Sequence, residues 1–463
     1  MPNKKHGISF DKIDRGFDIS GAKVHFIGIG GISMASLARL SIISGAEVSG
    51  SDRYLGENTH ILAGMGAKIM AGHNPENIPE NTDLIVYSNA ISESNPELAY
   101  AIESGMPAVS RPRFMGAMMQ QYRRKIGISG THGKSTTTAM IDAIFTLAGK
   151  NQTTLAGEDI PCVGSALRVG SKDDLIYEAC EYKDAFQMFS PTIAVALNME
   201  MDHVDYYKDE KSLKNSFVMA LSKATDFALI NEDDENLFKI KKRIATKVIT
   251  FGSNDSSDYR YSILSFGDGS YTFSLTKHGK IIGIFKISLM GSFNVINACA
   301  AAIVAIECGI NVKVIIEALR SFGGVKRRLE PVGNHSGRAV IYDYAHHPTE
   351  VRNSINAVRG AYGEGVTVVF KPHTFTRTEY FWREFIQALS MADYVVLTDI
   401  YPARENPIFG VTSENLAKAI GPKAIYAKDS EILSVIDHNT YGTIIIMGAG
   451  DLADVKRMLV EHE

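Results

Sequence analysis

Cysteine is scarce in this chain. The four that occur, Cys162, Cys180, Cys299 and Cys308, show no C-x-x-C spacing, which argues against a structural zinc site or a disulfide scaffold and fits a reducing compartment. Long apolar runs are missing too; none approaches the roughly 18–20 residues that span a bilayer. The stretch from Met1 to Ile19 is polar and charged, without the apolar centre of a secretory signal. Neither charge sign is in excess: 48 basic and 52 acidic side chains leave −4, so no basic field points to nucleic acid. Short runs such as Lys326-Arg327-Arg328 read as solvated faces. Tandem repeats and low-complexity linkers are also absent. What remains, 45% hydrophobic and 22% charged residues in a chain of 463, is a globular composition with room for two to four domains. The expectation is a cytoplasmic protein without nucleic-acid or membrane partners.

The most informative stretch runs from Ile126 to Thr138. An apolar run ends in Gly130-Thr131-His132-Gly133, then Lys134-Ser135-Thr136, then a helical pattern. This reads as a strand–loop–helix phosphate cradle, in which backbone N–H groups and the helix N-terminus face a polyphosphate. Lys134 can reach the terminal phosphates and the Ser135 hydroxyl can meet Mg²⁺. The loop departs from the general P-loop pattern, because its first glycine lies three positions before Gly133 rather than five.

Upstream, Val24 to Ile27 reads as a buried strand entering the turn Gly28-Ile29-Gly30-Gly31, with Asp52 ending the next strand. That is the opening of a dinucleotide-type βαβ unit. Ser33 replaces the third glycine, so a redox cofactor and a cofactor-free turn both remain open. Strands at 83–87 and 107–110 follow, the first leading into Ser88-Asn89, and a helix from Arg111 is expected to end near Arg124. In the middle of the chain, one strand leads into Glu178-Ala179-Cys180-Glu181-Tyr182 and another into Asn198-Met199-Glu200-Met201-Asp202-His203. Ligands gather at such carboxyl ends of strands. From Tyr259 to Leu289 the period changes to two, predicting antiparallel strands with a turn at 267–269. An alanine-rich helix opens near Asn294 and Asn297. Beyond Gly324, strands at 340–342, 366–370, 394–397 and 443–447 alternate with helices, the last leading into Gly448-Ala449-Gly450-Asp451. The fold class is α/β, in three domains at 1–124, 125–324 and 325–463: Rossmann-like, P-loop-type and Rossmann-like.

Glu178 and His203 sit at strand ends in the domain that carries the phosphate loop. With Ser135 they can hold one or two Mg²⁺ ions, with Mn²⁺ as an alternative. The ordinary readings are a helix cap for the acid and a hydrogen-bonded structural histidine. Cys180 reads as a small buried residue rather than a nucleophile. His346 and His347 are adjacent on a turn and point apart, so they read as a substrate-contacting loop rather than a joint ligand pair.

Taken in order, these motifs resemble the Mur ligase family, and within it the alanine-adding branch. The resemblance runs from about Val24 to about Asp451. It rests on the glycine turn, Ser49-Gly50-Ser51-Asp52, Asn95-Pro96-Glu97, the loop Gly130-Thr131-His132-Gly133-Lys134-Ser135, both acidic clusters, Gly324-Val325-Lys326-Arg327-Arg328, Asp343-Tyr344-Ala345-His346-His347-Pro348 and Pro372-His373-Thr374-Phe375-Thr376-Arg377. It implies successive domains for UDP-sugar, ATP and amino-acid binding. The implied reaction is ATP-dependent ligation of L-alanine to UDP-N-acetylmuramate through an acyl phosphate, by a monomer or weak homodimer. It further implies that Gly28, Gly30, Gly31, Asp52, Ser88, Asn89 and His347 contact substrate. Residues 130–136 with Arg328 serve ATP, Asn294 and Asn297 lie near adenine, and Asp343 lies near the ribose. Lys134, Glu178 and His203 would serve catalysis and Arg377 would bind the incoming amino acid. The chain departs from the family pattern at Ser33, Ser135, Phe293, Tyr342 and Lys371. A ligase for recycled peptides, a non-catalytic UDP-sugar-binding regulator and an NAD-dependent oxidoreductase are the alternatives.

Overall fold

The computed structural model describes residues 8–460 except 15, 161–162, 364, 440–441 and 451. Residues 1–7 of the polar leader, Cys162 and Asp451 lie outside the described residues.

Three sheets organise the chain. The first has five parallel strands in the order Lys68–Ala71, Glu47–Asp52, Lys23–Ile27, Leu84–Tyr87, Ala108–Ser110. Val24, Phe26 and Ile27 are buried, as a strand covered by helices on both faces must be. The chain order reverses between Lys23–Ile27 and Leu84–Tyr87, so the glycine turn and Ser88 open onto one crevice. The helix Arg111–Met119 stops five residues short of the expected end. Arg124 instead opens the strand Arg124–Ser129, paired with Asp174–Glu178.

The second sheet has ten strands. Arg124–Ser129 lies between Ile193–Ala196 and Asp174–Glu178, all parallel, which places the phosphate loop and both acidic clusters together at the carboxyl ends of these inner strands. The alternating region forms the antiparallel strands Tyr259–Gly267, Ser270–Lys277 and Lys280–Ile287. Four further strands complete the sheet: Thr153–Ile160, Ser165–Arg168, Phe227–Asn231 and Val248–Gly252. The sequence pattern did not separate them. Thr153, Thr154 and Gly157 dilute the first, and Phe227–Asn231 is a short buried run whose period does not distinguish strand from helix.

The third sheet orders Glu330–His335, Arg338–Asp343, Thr443–Met447, Val366–Phe370, Tyr394–Leu397 and Ala424–Tyr426. Its four inner strands are those expected. The edges were not: Pro331 and Gly333 interrupt one and the other spans three residues.

The domains are in contact. The apolar cluster of the first sheet continues into Leu155, Tyr177 and Phe186 of the second domain. The helix Arg111–Met119 lies so close to the 182–188 segment that a Cβ on Gly116 would stand 2.3 Å from the Met188 carbonyl oxygen.

Candidate active site

The strand Arg124–Ser129 ends at the phosphate loop, and Gly133 caps the helix Lys134–Leu147 with φ 85°. A side chain there would be strained and its Cβ would meet Asn297 Oδ1 at 2.4 Å. The loop is tied to the next strand end: His132 N–H donates to Asn198 Oδ1 at 2.8 Å, and Thr131 Oγ1 donates to the Glu200 carbonyl at 3.1 Å. The helix N-terminus presents unpaired N–H groups, a ready anion site.

That N-terminus borders two cavities. The first, about 300 Å³, lies between the second and third domains; its lining includes His132, Gly133, Ser135, Thr136, Asn294, Asn297, Arg328 and Asp343. These are eight of the residues implied for ATP, brought together from four separate stretches. Met290, Phe293 and Leu289 give the cavity an apolar wall, suited to a flat base. Asn297 Nδ2 donates to Asn294 Oδ1 at 3.0 Å, and Asn294 Nδ2 to the Met290 carbonyl at 2.7 Å. Burial raises the Asp343 carboxyl to about 6, although Ser354 and Arg328 favour its charged form. Gly130 and Thr131 line neither cavity; they supply the loop's internal contacts.

The second cavity, about 430 Å³, lies between the first and second domains. Gly31, Ser88 and Asn89 line it, together with Lys134 and Glu178. Gly28, Gly30 and Asp52 stand behind this wall: Asp52 Oδ2 accepts from Gly30 N–H at 2.8 Å. The Ser33 hydroxyl accepts from Arg111 Nη1 at 2.9 Å, fixing a guanidinium in the cleft. Arg111 and Arg404, the latter from the third domain, also line this cavity. Neither was singled out in the sequence; Arg111 read only as a helix start.

Lys134 folds back over its loop. Its Nζ donates to the carbonyls of Gly130 at 2.5 Å and Thr131 at 3.2 Å, and to Glu181 Oε2 at 3.2 Å. Burial opposes the charge, but Glu181, with Cys180 and Glu178, holds the ammonium well above the usual lysine range. Glu181 is 2% exposed and lies 3.8 Å from His203 Nε2. It is a further residue that sequence reasoning missed. The signal was a second acid three positions beyond Glu178, but only the acid at the strand end drew attention.

Glu178 Oε1 accepts from Gly157 N–H at 2.6 Å. His203 adopts φ 52° and its ring lies 4.6 Å from that of Tyr182, tilted by 34°. It lines neither cavity. Burial alone would lower its pKa, but a hydrogen bond to Cys180 and the charges of Asp202 and Glu181 push it up to about 9.

Arg377 is engaged across a domain boundary. Its Nε and Nη2 donate to Asp202 Oδ1 at 3.1 and 2.7 Å, and its Nη1 meets His373 Nδ1 at 2.9 Å. Its carboxylate partner is thus an acid of the second acidic cluster, 175 positions away. His347 is 4% exposed and lines neither cavity. It caps the helix Pro348–Tyr362, accepting from Thr349 N–H at 3.3 Å while its Nε2 donates to the Met201 carbonyl at 3.1 Å.

Three Mur ligase family profiles match this chain: the catalytic domain over residues 23–123, the middle domain over 128–305 and the glutamate ligase domain over 327–450. UDP-N-acetylmuramate–L-alanine ligase of Clostridium novyi (strain NT) is 38% identical over 447 residues, covering 95% of this chain and 97% of the relative. The enzyme so named in Aquifex aeolicus (strain VF5) is 36% identical, covering 93% and 95%. Among solved structures, UDP-N-acetylmuramate–alanine ligase from Thermotoga maritima superposes with TM-score 0.79 at 26% identity, covering 94% of this chain and 98% of that one. A murein peptide ligase from Psychrobacter arcticus shares the fold, with TM-score 0.72 at 23% identity over 95% and 98%.

Proposed function

The chain belongs to the Mur ligase family, and on that premise we propose that it joins L-alanine to the lactyl carboxylate of UDP-N-acetylmuramate, with cleavage of ATP, in peptidoglycan precursor synthesis. One observation carries this reading. A single helix start serves both cavities: Ser135 and Thr136 line the nucleotide cavity, while Lys134 lines the cleft with Gly31 and Ser88. A terminal phosphate laid on that helix therefore meets a carboxylate presented by the first domain.

The chemistry follows from that meeting. A lactyl carboxylate oxygen attacks the γ-phosphorus, the bond to ADP breaks, and an acyl phosphate forms. The neutral alanine amine then attacks the acyl carbon, its nitrogen gives up a proton to solvent, and phosphate leaves with the bonding electrons. Negative charge grows first on phosphoryl oxygens and then on the tetrahedral oxyanion. Lys134 and the N–H groups at the start of the helix Lys134–Leu147 face that charge. Ser135 and Glu178 offer the hard oxygen donors that suit Mg²⁺ or Mn²⁺, with His203 as the nitrogen donor of the set; held by them, the ion would withdraw charge from the phosphoryl oxygens. Arg377 remains able to hold the alanine carboxylate beside Asp202, because Nη1 and Nη2 each carry a second N–H. The protein acts in the cytoplasm as a monomer or weak homodimer.

The test is phosphate release with ATP, UDP-N-acetylmuramate and a panel of L-alanine, glycine, L-serine and a preformed peptide. L-Alanine should be preferred, with glycine slower by the roughly 1–3 kcal/mol that one methyl group supplies. Preference for the peptide would transfer the assignment to a recycling ligase.

A further inference from the structure

A second cluster of metal-ligating side chains lies on the rim of the nucleotide cavity, apart from Ser135, Glu178 and His203. His132 Nε2 stands 3.1 Å from Glu200 Oε2, and His347 Nδ1 stands 3.6 Å from the same oxygen. One donor atom from each residue falls within 4.8 Å of both others. Bonds of roughly 2.0–2.2 Å in tetrahedral geometry separate neighbouring ligand atoms by about 3.3 Å, so two of these separations already bracket the requirement.

The far side of each ring is also occupied. His132 Nδ1 lies 3.0 Å from Glu350 Oε1, and His347 Nε2 donates to the Met201 carbonyl at 3.1 Å. A carboxylate or carbonyl behind an imidazole is the usual outer support of a metal-bound histidine, because it fixes the ring and its tautomer. The sites of interest, His132 Nε2 and His347 Nδ1, both face Glu200. His347 Nδ1 spends only a long 3.3 Å bond from Thr349 N–H, which a cation would displace. Two imidazoles with one carboxylate select a borderline transition ion over Mg²⁺, and the cavity beside His132 and Glu200 leaves room for a fourth ligand.

The three residues come from the phosphate loop, the loop after the strand Ile193–Ala196, and the helix cap at Pro348 in the third domain. We propose that His132, Glu200 and His347 form a separate site for Zn²⁺ or a similar transition cation, which clamps the third domain onto the phosphate loop. Glu350 supports the site from outside it.

The test uses the full chain, stripped with chelator and titrated with Co²⁺ in excess Mg²⁺. The expected result is one Mg²⁺-resistant equivalent with the intense visible bands of four-coordinate Co²⁺. Glu200→Gln and His347→Asn, the latter keeping a helix-capping side chain, should weaken it beyond the roughly 10–100-fold expected for the outer-shell change Glu350→Gln. Glu178→Gln and His203→Asn should leave the spectrum unchanged. Circular dichroism confirms that each variant is folded. Small-angle scattering of nucleotide-free protein should show Zn²⁺ narrowing the distribution of domain positions, and no such effect in Glu200→Gln. A wild type without a Mg²⁺-resistant equivalent, or a spectrum lost with Glu178→Gln and kept with Glu200→Gln, would overturn the site. Binding without any scattering change would overturn the clamp.

Discussion

At the scale of single residues, buried charges decide the chemistry. Lys134 is useful to a phosphate only if its ammonium stays charged inside the protein, and Glu181 holds it so. Glu181→Gln removes that counter-charge and frees the lysine to leave the loop. Misplacement of a catalytic group costs on the order of 100-fold in rate, so kcat should fall by about that much with ATP KM changed far less; steady-state kinetics check this. The first domain holds a comparable buried acid. Glu97, fully enclosed, accepts from Ser51 Oγ at 2.5 Å, Asn77 Nδ2 at 2.7 Å and Asn74 N–H at 3.1 Å, and faces His25 Nε2 at 3.4 Å. Burial would raise its pKa, but these donors hold it below the usual range. A depressed carboxylate stabilises the fold above its unfolded pKa and loses that stabilisation as pH falls through the folded value. Glu97→Gln should therefore cost about 1–3 kcal/mol at neutral pH. The melting-temperature gap to wild type should close as pH falls below 4.5, the ordinary value for this group.

At the scale of elements, the strand–loop–helix unit works because its backbone can come close to other groups. Gly133 combines φ 85° with the near approach of Asn297, so Gly133→Ala meets two obstacles at once. Gly149, at the far end of the same helix, has φ 72° and open space around its would-be Cβ. Gly149→Ala should cost only the roughly 1–2 kcal/mol of the left-handed conformation and keep ATP binding. Gly133→Ala should lose ATP binding, by calorimetric titration, as the helix start is pushed away from Asn297. The contrast tests whether the loop's shape, rather than helix stability, serves the nucleotide. The helix Pro348–Tyr362 shows the same economy: Glu350 receives the N–H groups of His346 and His347 while lying against His132 of the phosphate loop.

At the scale of the whole molecule, the site exists only where three domains meet. Arg377 and Asp202 are 175 positions apart, and their contact joins the third domain to the second. Asp202→Asn keeps the shape and removes the charge that holds the arginine fork. L-Alanine KM should rise at least tenfold, of the order that 1.5–3 kcal/mol for a charged hydrogen bond gives, while ATP KM changes little. Small-angle scattering should report a larger radius of gyration as the third domain loosens. Equal increases in both KM values would place the effect on domain closure as a whole rather than on the amino-acid pocket. Lys134 shows the same convergence from the other side. It belongs to the phosphate-loop helix yet lines the cleft of the first domain, so the proposed nucleotide and sugar sites meet at this residue. No helix among the described residues is long and apolar enough to cross a membrane.

The sequence by itself determined what depends on neighbours along the chain. Apolar runs ending in glycine or acid marked the strands and where they end, because side-chain period and backbone freedom are local. They located the phosphate loop, the glycine turn, both acidic clusters, the antiparallel insert and the inner strands of the third sheet. Motif order then carried the family resemblance. Tertiary structure alone decided which charges meet. The pairing of Lys134 with Glu181, the holding of Arg377 by Asp202, and the contact of His347 Nε2 with the Met201 carbonyl all join residues from different strand ends. So does the presence of Arg111 and Arg404 in one cleft. Electrostatic energy depends on distance in space and on burial, not on separation along the chain, and neither quantity is written in the order of the residues.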